Sequence, residues 1–170
     1  MLMLQVMSDD PESARYWLVA AAEAGDVSSM MRLARSSGDS ELALSWYRKA
    51  FKADNIAAAE FFENAHLARI SDQLAQLVIQ EGPSSTRVQL AGRPDMYSMV
   101  AERLSTDADE NVRRELAGNW RTPQNILRVL ANDPYPAVRA SVARNPNTPD
   151  SILREIGTTA DQESPVGSDR

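Results

Sequence analysis

Cysteine is absent from all 170 residues. Its absence excludes disulfides and any thiolate-ligated zinc or iron–sulfur centre. Histidine occurs once, as His66. A His-based metal site would therefore need carboxylates for nearly all its other ligands. Lysine is confined to Lys49 and Lys52, and every basic residue beyond them is arginine. No apolar run is long enough to span a membrane. The opening MLMLQVMSDDPE lacks a basic stretch and a small-residue cleavage site. No secretory signal is expected, and the cytoplasm is the default location. No G-x-S-x-G, P-loop, H-E-x-x-H or dinucleotide fingerprint appears. Accordingly no catalytic residue, no resident metal and no cofactor is expected.

What is present fits a soluble globular chain: 43% apolar and 25% charged residues, enough length for one good-sized domain or two small ones. The net charge of −6 argues against general affinity for nucleic acid or anionic membranes. Residues 1–65 hold 6 basic and 10 acidic side chains, and residues 66–170 hold 12 and 14. Arginine suits fixed, bidentate pairing better than lysine. Its exclusive use in the second part points to ordered ion pairs or a recognition surface there.

The second part repeats itself every 26 residues. Leu90-Ala91, Leu116-Ala117 and Val142-Ala143 correspond, followed by Arg93, Asn119 and Asn145. Thr122-Pro123 matches Thr148-Pro149, and Val100 matches Ile126 and Ile152. Asp107 matches Asp133; Thr86, Val112 and Val138 align; so do Arg87, Arg113 and Arg139. A partial unit, SDQLAQLV at 71–78, precedes them. Fixed-period similarity of this kind marks a stacked array of small helical units, none of which buries its apolar face alone. Within a unit, Thr148 is expected to N-cap a short helix with Pro149 as its first residue. Asn145, ahead of Pro146, is expected either to bond loose backbone groups through its amide or to turn left-handed at the end of the preceding helix.

The stretches DPYPAVRASVARNPNTPDSILREI at 133–156 and NVRRELAGNWRTPQNILRVLAND at 111–133 resemble the leucine-rich repeat variant family of bacterial proteins. The resemblance covers roughly residues 70–157. It implies a right-handed superhelix of short α and 3₁₀ segments with no sheet.

The first part has a different repeat, offset by 29. Ala14 pairs with Ala43, Trp17 with Trp46, Ala21 with Ala50, Ala24 with Ala53, Asp26 with Asn55 and Val27 with Ile56. Asp10-Pro11 and Asp39-Ser40 read as helix starts, and Gly25 and Gly38 as helix ends. Helices are expected near 11–24, 27–36, 40–53 and 55–69, with Trp17 and Trp46 in the core. This pattern resembles Sel-like repeats, relatives of the tetratricopeptide repeat. Residues 158–170, TTADQESPVGSDR, carry hardly any bulky apolar side chain and read as a disordered tail.

The expected architecture is all-α: a helical-repeat solenoid with two repeat types, 1–69 and 70–157, and a tail at 158–170. Candidate partner-binding residues are Arg87, Arg113 and Arg139, which recur once per unit, with Trp120, Arg121 and Tyr135. The arginine column has two readings. It is a basic stripe that grips an acidic peptide or a phosphate backbone, or it is an internal ladder paired with Asp and Glu of its own and adjacent units. The second is favoured, since repeat-invariant polar residues hold repeats together. Arg128 and Arg154 form a shorter column. Trp120 stands where the next unit has Pro146, either filling a gap or serving as an exposed anchor. Tyr135 lies between two prolines. The acidic run DADE at 107–110 reads as an inter-helix loop that caps the next helix, and His66 as a packed or surface residue. Both repeat resemblances imply a non-enzymatic adaptor or scaffold for an unidentified protein or peptide. The alternative is a nucleic-acid-binding repeat with an Arg-lined face. Monomer or weak dimer is expected, the latter through the outer side of the last helix, near Ile152 and Ile156.

Overall fold

The computed structural model describes residues 10–37, 41–53, 71–94 and 98–163, with 158–163 described as backbone only. Ten helices and no strand occur among the described residues. The expected helix over 55–69, the Asp39-Ser40 start, the Gly38 end and His66 lie outside them. No described helix is long and apolar enough to cross a membrane. The chain forms two compact units, Met1–Thr86 and Arg87–Arg170.

In the first unit, α1 (Pro11–Glu23) begins as the sequence predicts. Asp10 accepts hydrogen bonds from the Glu12 and Ser13 backbone N–H groups, and Pro11 occupies the first helical turn. The helix ends at Gly25, whose φ of 102° is one that side-chain-bearing residues avoid. There the Asp26 N–H bonds to the Ala21 carbonyl and the Gly25 N–H to that of Ala22, closing a Schellman turn. Asp26 then caps α2 (Val27–Ser36), accepting from the Ser29 N–H at 2.7 Å. Hydrogen bonds from Ser13 and Ser29 hold the Asp10 and Asp26 carboxyls, respectively, below the usual range. The helix α2 packs on both α1 and α3 (Glu41–Ala53) through the buried Met30, Met31, Leu33 and Ala34.

On its other side α3 packs on α4 (Asp72–Glu81), capped by Ser71 and joined to α3 by an exposed Arg48–Glu81 ion pair. The sequence assigns α4 to the second repeat system, whereas its contacts place it in the first compact unit. With helices on both sides, α3 buries Ala43, Leu44, Trp46, Tyr47, Ala50 and Phe51. The two tryptophans therefore part company. Trp46 is 6% exposed, but Trp17, expected in the core, is 62% exposed. The main packing partner of α1 among the described helices is α2, and Trp17 stays on the exposed side of that pair.

The second unit contains α6 (Ser98–Leu104), α7 (Glu110–Gly118), α8 (Gln124–Leu130), α9 (Pro136–Arg144) and α10 (Asp150–Glu163). It also takes most of α5 (Ser84–Gly92), within which the boundary falls. Its centre is the pair α7 and α9, which pack directly on each other. Val112, Leu116, Val138 and Val142 are wholly buried. Leu127, Leu130 and Ile152 close the core from α8 and α10.

Two features correct the sequence reading. Thr122 and Thr148 do not N-cap the following helices. Their hydroxyls donate backwards, to the Leu116 and Val142 carbonyls at 2.5 and 2.7 Å. The helix α8 starts after Pro123 with no side-chain cap. At the ends of α7 and α9 the threonine is thus a second donor to a carbonyl that also accepts from the Asn119 or Asn145 N–H. In addition, α10 runs to Glu163, past the boundary expected at 157. TTADQE contains no helix breaker, and the first stop is the Ser164-Pro165 step.

Candidate partner-binding surface

The asparagines that end α7 and α9 are clamps. The Asn145 Nδ2 donates to the Ala117 and Asn119 carbonyls at 2.6 and 2.8 Å, and its Oδ1 accepts from the Asn147 N–H. One unit earlier, Asn119 Nδ2 donates to the Ala91 and Arg93 carbonyls at 2.7 and 2.8 Å, and Oδ1 accepts from the Arg121 N–H. Both asparagines keep extended backbone, φ −71° and −74°, so the amide role holds and the left-handed alternative does not. Each clamp reaches one repeat back, to the C-terminal end of the corresponding helix, α7 for Asn145 and α5 for Asn119.

The arginine column forms the second clamp, at the opposite end of the helices. Arg113 binds Asp133 through two contacts, Nε–Oδ2 2.7 Å and Nη2–Oδ1 3.1 Å, while Nη1 donates to the Asp107 and Ala108 carbonyls. Arg87 grips Asp107 with the same two distances. Arg139 Nη1 donates to the Asp133 and Pro134 carbonyls, repeating the third part of the pattern. Thus Arg113 and Arg139 each tie the loop ahead of their own helix, and Arg87 and Arg113 reach an aspartate one unit on. Arg113 and Asp133 are both buried. Burial pushes the Asp133 carboxyl up, but the Arg113 hydrogen bond and the Tyr135 N–H more than reverse this, and it sits below the usual range. The Asp133 hydrogen bond raises Arg113 despite its burial.

These contacts turn the arginine column inward. Arg113, a candidate for partner binding on sequence, has its guanidinium occupied and buried. Arg87 and Arg139 are half-buried, with guanidiniums likewise engaged by the chain. The acidic loop is explained by the same bonds. Asp107 receives Arg87 and the Asp109 N–H, and Asp109 caps α7 by accepting from the Asn111 N–H. No group of three or more His, Asp or Glu able to hold a metal ion occurs among the described residues.

Trp120, Arg121 and Tyr135 remain on the outside. Trp120 is 54% exposed, and the Arg121 guanidinium lies over its ring, 4.3 Å from the centroid. That stacking holds a large flat surface rigid beside a positive charge. Tyr135 is 47% exposed and rests over Arg113, 5.4 Å from ring centroid to guanidinium. The two aromatics do not meet. The Arg113–Asp133 and Asn145–Ala117 bonds show α7 and α9 to be parallel, since they link N-terminal to N-terminal and C-terminal to C-terminal ends. Trp120 follows the C-terminus of α7 and Tyr135 precedes the N-terminus of α9. They mark opposite edges of this layer. The second column is a weak surface feature: Arg128 meets Glu155 at 3.6 Å in solvent. On the last helix Ile152 is buried, Ile156 half-buried and Leu153 exposed.

The sequence missed a second exposed aromatic surface. Tyr16 and Trp17 meet edge to face, with centroids 5.4 Å apart, both well exposed. Beside Trp17, α1 and α2 bound an open groove of 590 Å³. The clue available in the sequence was Arg15, which stands where the next repeat has Leu44.

Comparison with protein-family models, with curated proteins and with solved structures finds no match to this chain.

Proposed function

We propose that the protein is a non-enzymatic adaptor or scaffold that binds a partner protein or peptide along a face of helical repeats. In this reading the 26-residue units stack as a right-handed solenoid of the leucine-rich repeat variant type. The first unit is of the Sel-like type, and the protein works in the cytoplasm. The observation that carries the reading is the buried Arg113–Asp133 pair. It assigns the repeated arginine to holding units together and leaves the stacked Trp120–Arg121 edge as the exposed recognition feature. Aromatic and arginine side chains of this kind dominate binding hot spots. The nucleic-acid alternative needs a stripe of arginines facing solvent, and a guanidinium bonded to a buried carboxylate has little left for phosphate.

The test is a pull-down from native lysate, with and without nuclease, using the wild type and Trp120→Ala. A protein captured despite nuclease, and bound about tenfold or more weaker by Trp120→Ala, is the expected result, since truncating a hot-spot residue costs about 2 kcal/mol. Capture of nucleic acid alone, lost with nuclease, would replace this reading with the alternative.

A further inference from the structure

We infer that the groove between α1 and α2 receives an acidic amphipathic helix from a partner protein. The inference extends the adaptor reading to a named site and a class of partner, and it concerns a different compact unit from the Trp120 edge.

The internal repeat supplies the argument for a helix. Ala14, Trp17, Leu18 and Ala21 of α1 correspond to Ala43, Trp46, Tyr47 and Ala50 of α3. All four are buried in α3, which has α2 and α4 packed on it. In α1 the same set is open: Trp17 is exposed, and Leu18 and Ala21 are half-buried. The surface that this repeat uses to seat a neighbouring helix is thus presented to solvent at α1. The stretch from Ala14 to Ala21 spans about 10 Å at 1.5 Å per residue, the length of about two helical turns. A helix laid there would place apolar anchors at i, i+3 or i+4, and i+7, the usual spacing for such grooves.

The chemistry of the walls supplies the charge. Leu18, Ala21 and Leu33 offer an apolar floor, with Trp17 as a wall. Arg15 and Arg32, both exposed, line it, and no acidic residue does among the described residues. This basic rim sits in a region, residues 1–65, where acids outnumber bases 10 to 6. A polyanion would meet that excess of negative charge over its whole length, whereas a short helix with Asp or Glu beside its apolar stripe would meet only the two arginines.

The experiment is selection of phage-displayed helical peptides on the full-length protein. Affinities are then measured for the wild type, Arg15→Glu/Arg32→Glu, Trp17→Ala and Trp120→Ala, with circular dichroism to confirm that each folds. The expected outcome is enrichment of peptides with an apolar stripe at helical spacing flanked by acids. Their affinity should fall at least tenfold in the Arg15/Arg32 and Trp17 variants and stay unchanged in Trp120→Ala. Three results would overturn the inference. One is no enrichment, or enrichment without acids. Another is self-association of the wild type that Trp17→Ala abolishes, which would give the groove to a second copy. The third is shielding of Trp17 from acrylamide in an unliganded, folded Trp46→Phe/Trp120→Phe protein, where it is the one tryptophan left, which would give it to the chain itself. None of these touches the pull-down on Trp120, so the adaptor reading stands or falls separately.

Discussion

Thr86 is wholly buried, and its hydroxyl has no hydrogen-bond partner among the described residues. One and two repeats later the same position is Val112 and Val138, both buried without cost. Thr86→Val keeps the shape and removes the orphan polar group, so it should stabilise the protein by about 1 kcal/mol. A rise in urea midpoint at constant slope would confirm it. Asn145 is the reverse case. Asn145→Ala would take the Asn145 amide from the buried Ala117 carbonyl and leave the Asn119 carbonyl with the Thr122 N–H alone, and should cost about 1–3 kcal/mol. The same denaturation experiment reads this, with Asn147→Ala, at a half-buried site, as a milder control. Asp133 makes stability depend on pH. Its folded-state value lies below the ordinary 3.8. Its contribution is therefore complete above that ordinary value and is lost as pH falls through the folded one. Asp133→Asn should be less stable than wild type at neutral pH, and the gap should narrow below about pH 4. A gap that stays constant down to pH 2 would contradict this.

At the scale of helices, the sequence was informative wherever a local rule decides the backbone. Asp10-Pro11, Gly25 and Asp26 set the ends of α1 and the start of α2 through bonds to residues a few positions away. Gly25→Ala would force a side chain into positive φ and should cost about 1 kcal/mol, measurable as a lowered melting temperature. The rules failed where the partner is distant. Thr122 has the composition of an N-cap, yet its hydroxyl turns back to the Leu116 carbonyl at the buried end of α7, where it joins the Asn119 N–H as a second donor. Trp17 has the same repeat position as Trp46, but burial depends on which helices flank it. The helix α10 continues to Glu163 through a stretch poor in apolar residues, because nothing in that stretch breaks a helix before the Ser164-Pro165 step.

For the molecule, the repeat period was legible, and so was the preference for an internal arginine ladder; which acids pair with it was not. That Arg87, Arg113 and Arg139 recur says they matter to the unit; only the aspartate 20 residues on, reached by Arg87 and Arg113, says how. Both compact units leave an aromatic surface beside arginine, Trp120 with Arg121 in one and Trp17 with Arg15 and Arg32 in the other. In the proposed reading those surfaces, and not the repeated arginines, are where a partner binds. The central claim is therefore that the repeated arginine is a structural clamp. A double-mutant cycle on Arg113→Met and Asp133→Leu, read by urea denaturation, tests it most directly. Each single change should cost about 3–5 kcal/mol by stranding a buried charge, and the double variant should recover much of that loss. Additive losses of a few tenths of a kcal/mol, with partner binding abolished by Arg113→Met in a protein of undiminished stability, would instead make the arginine column the binding face.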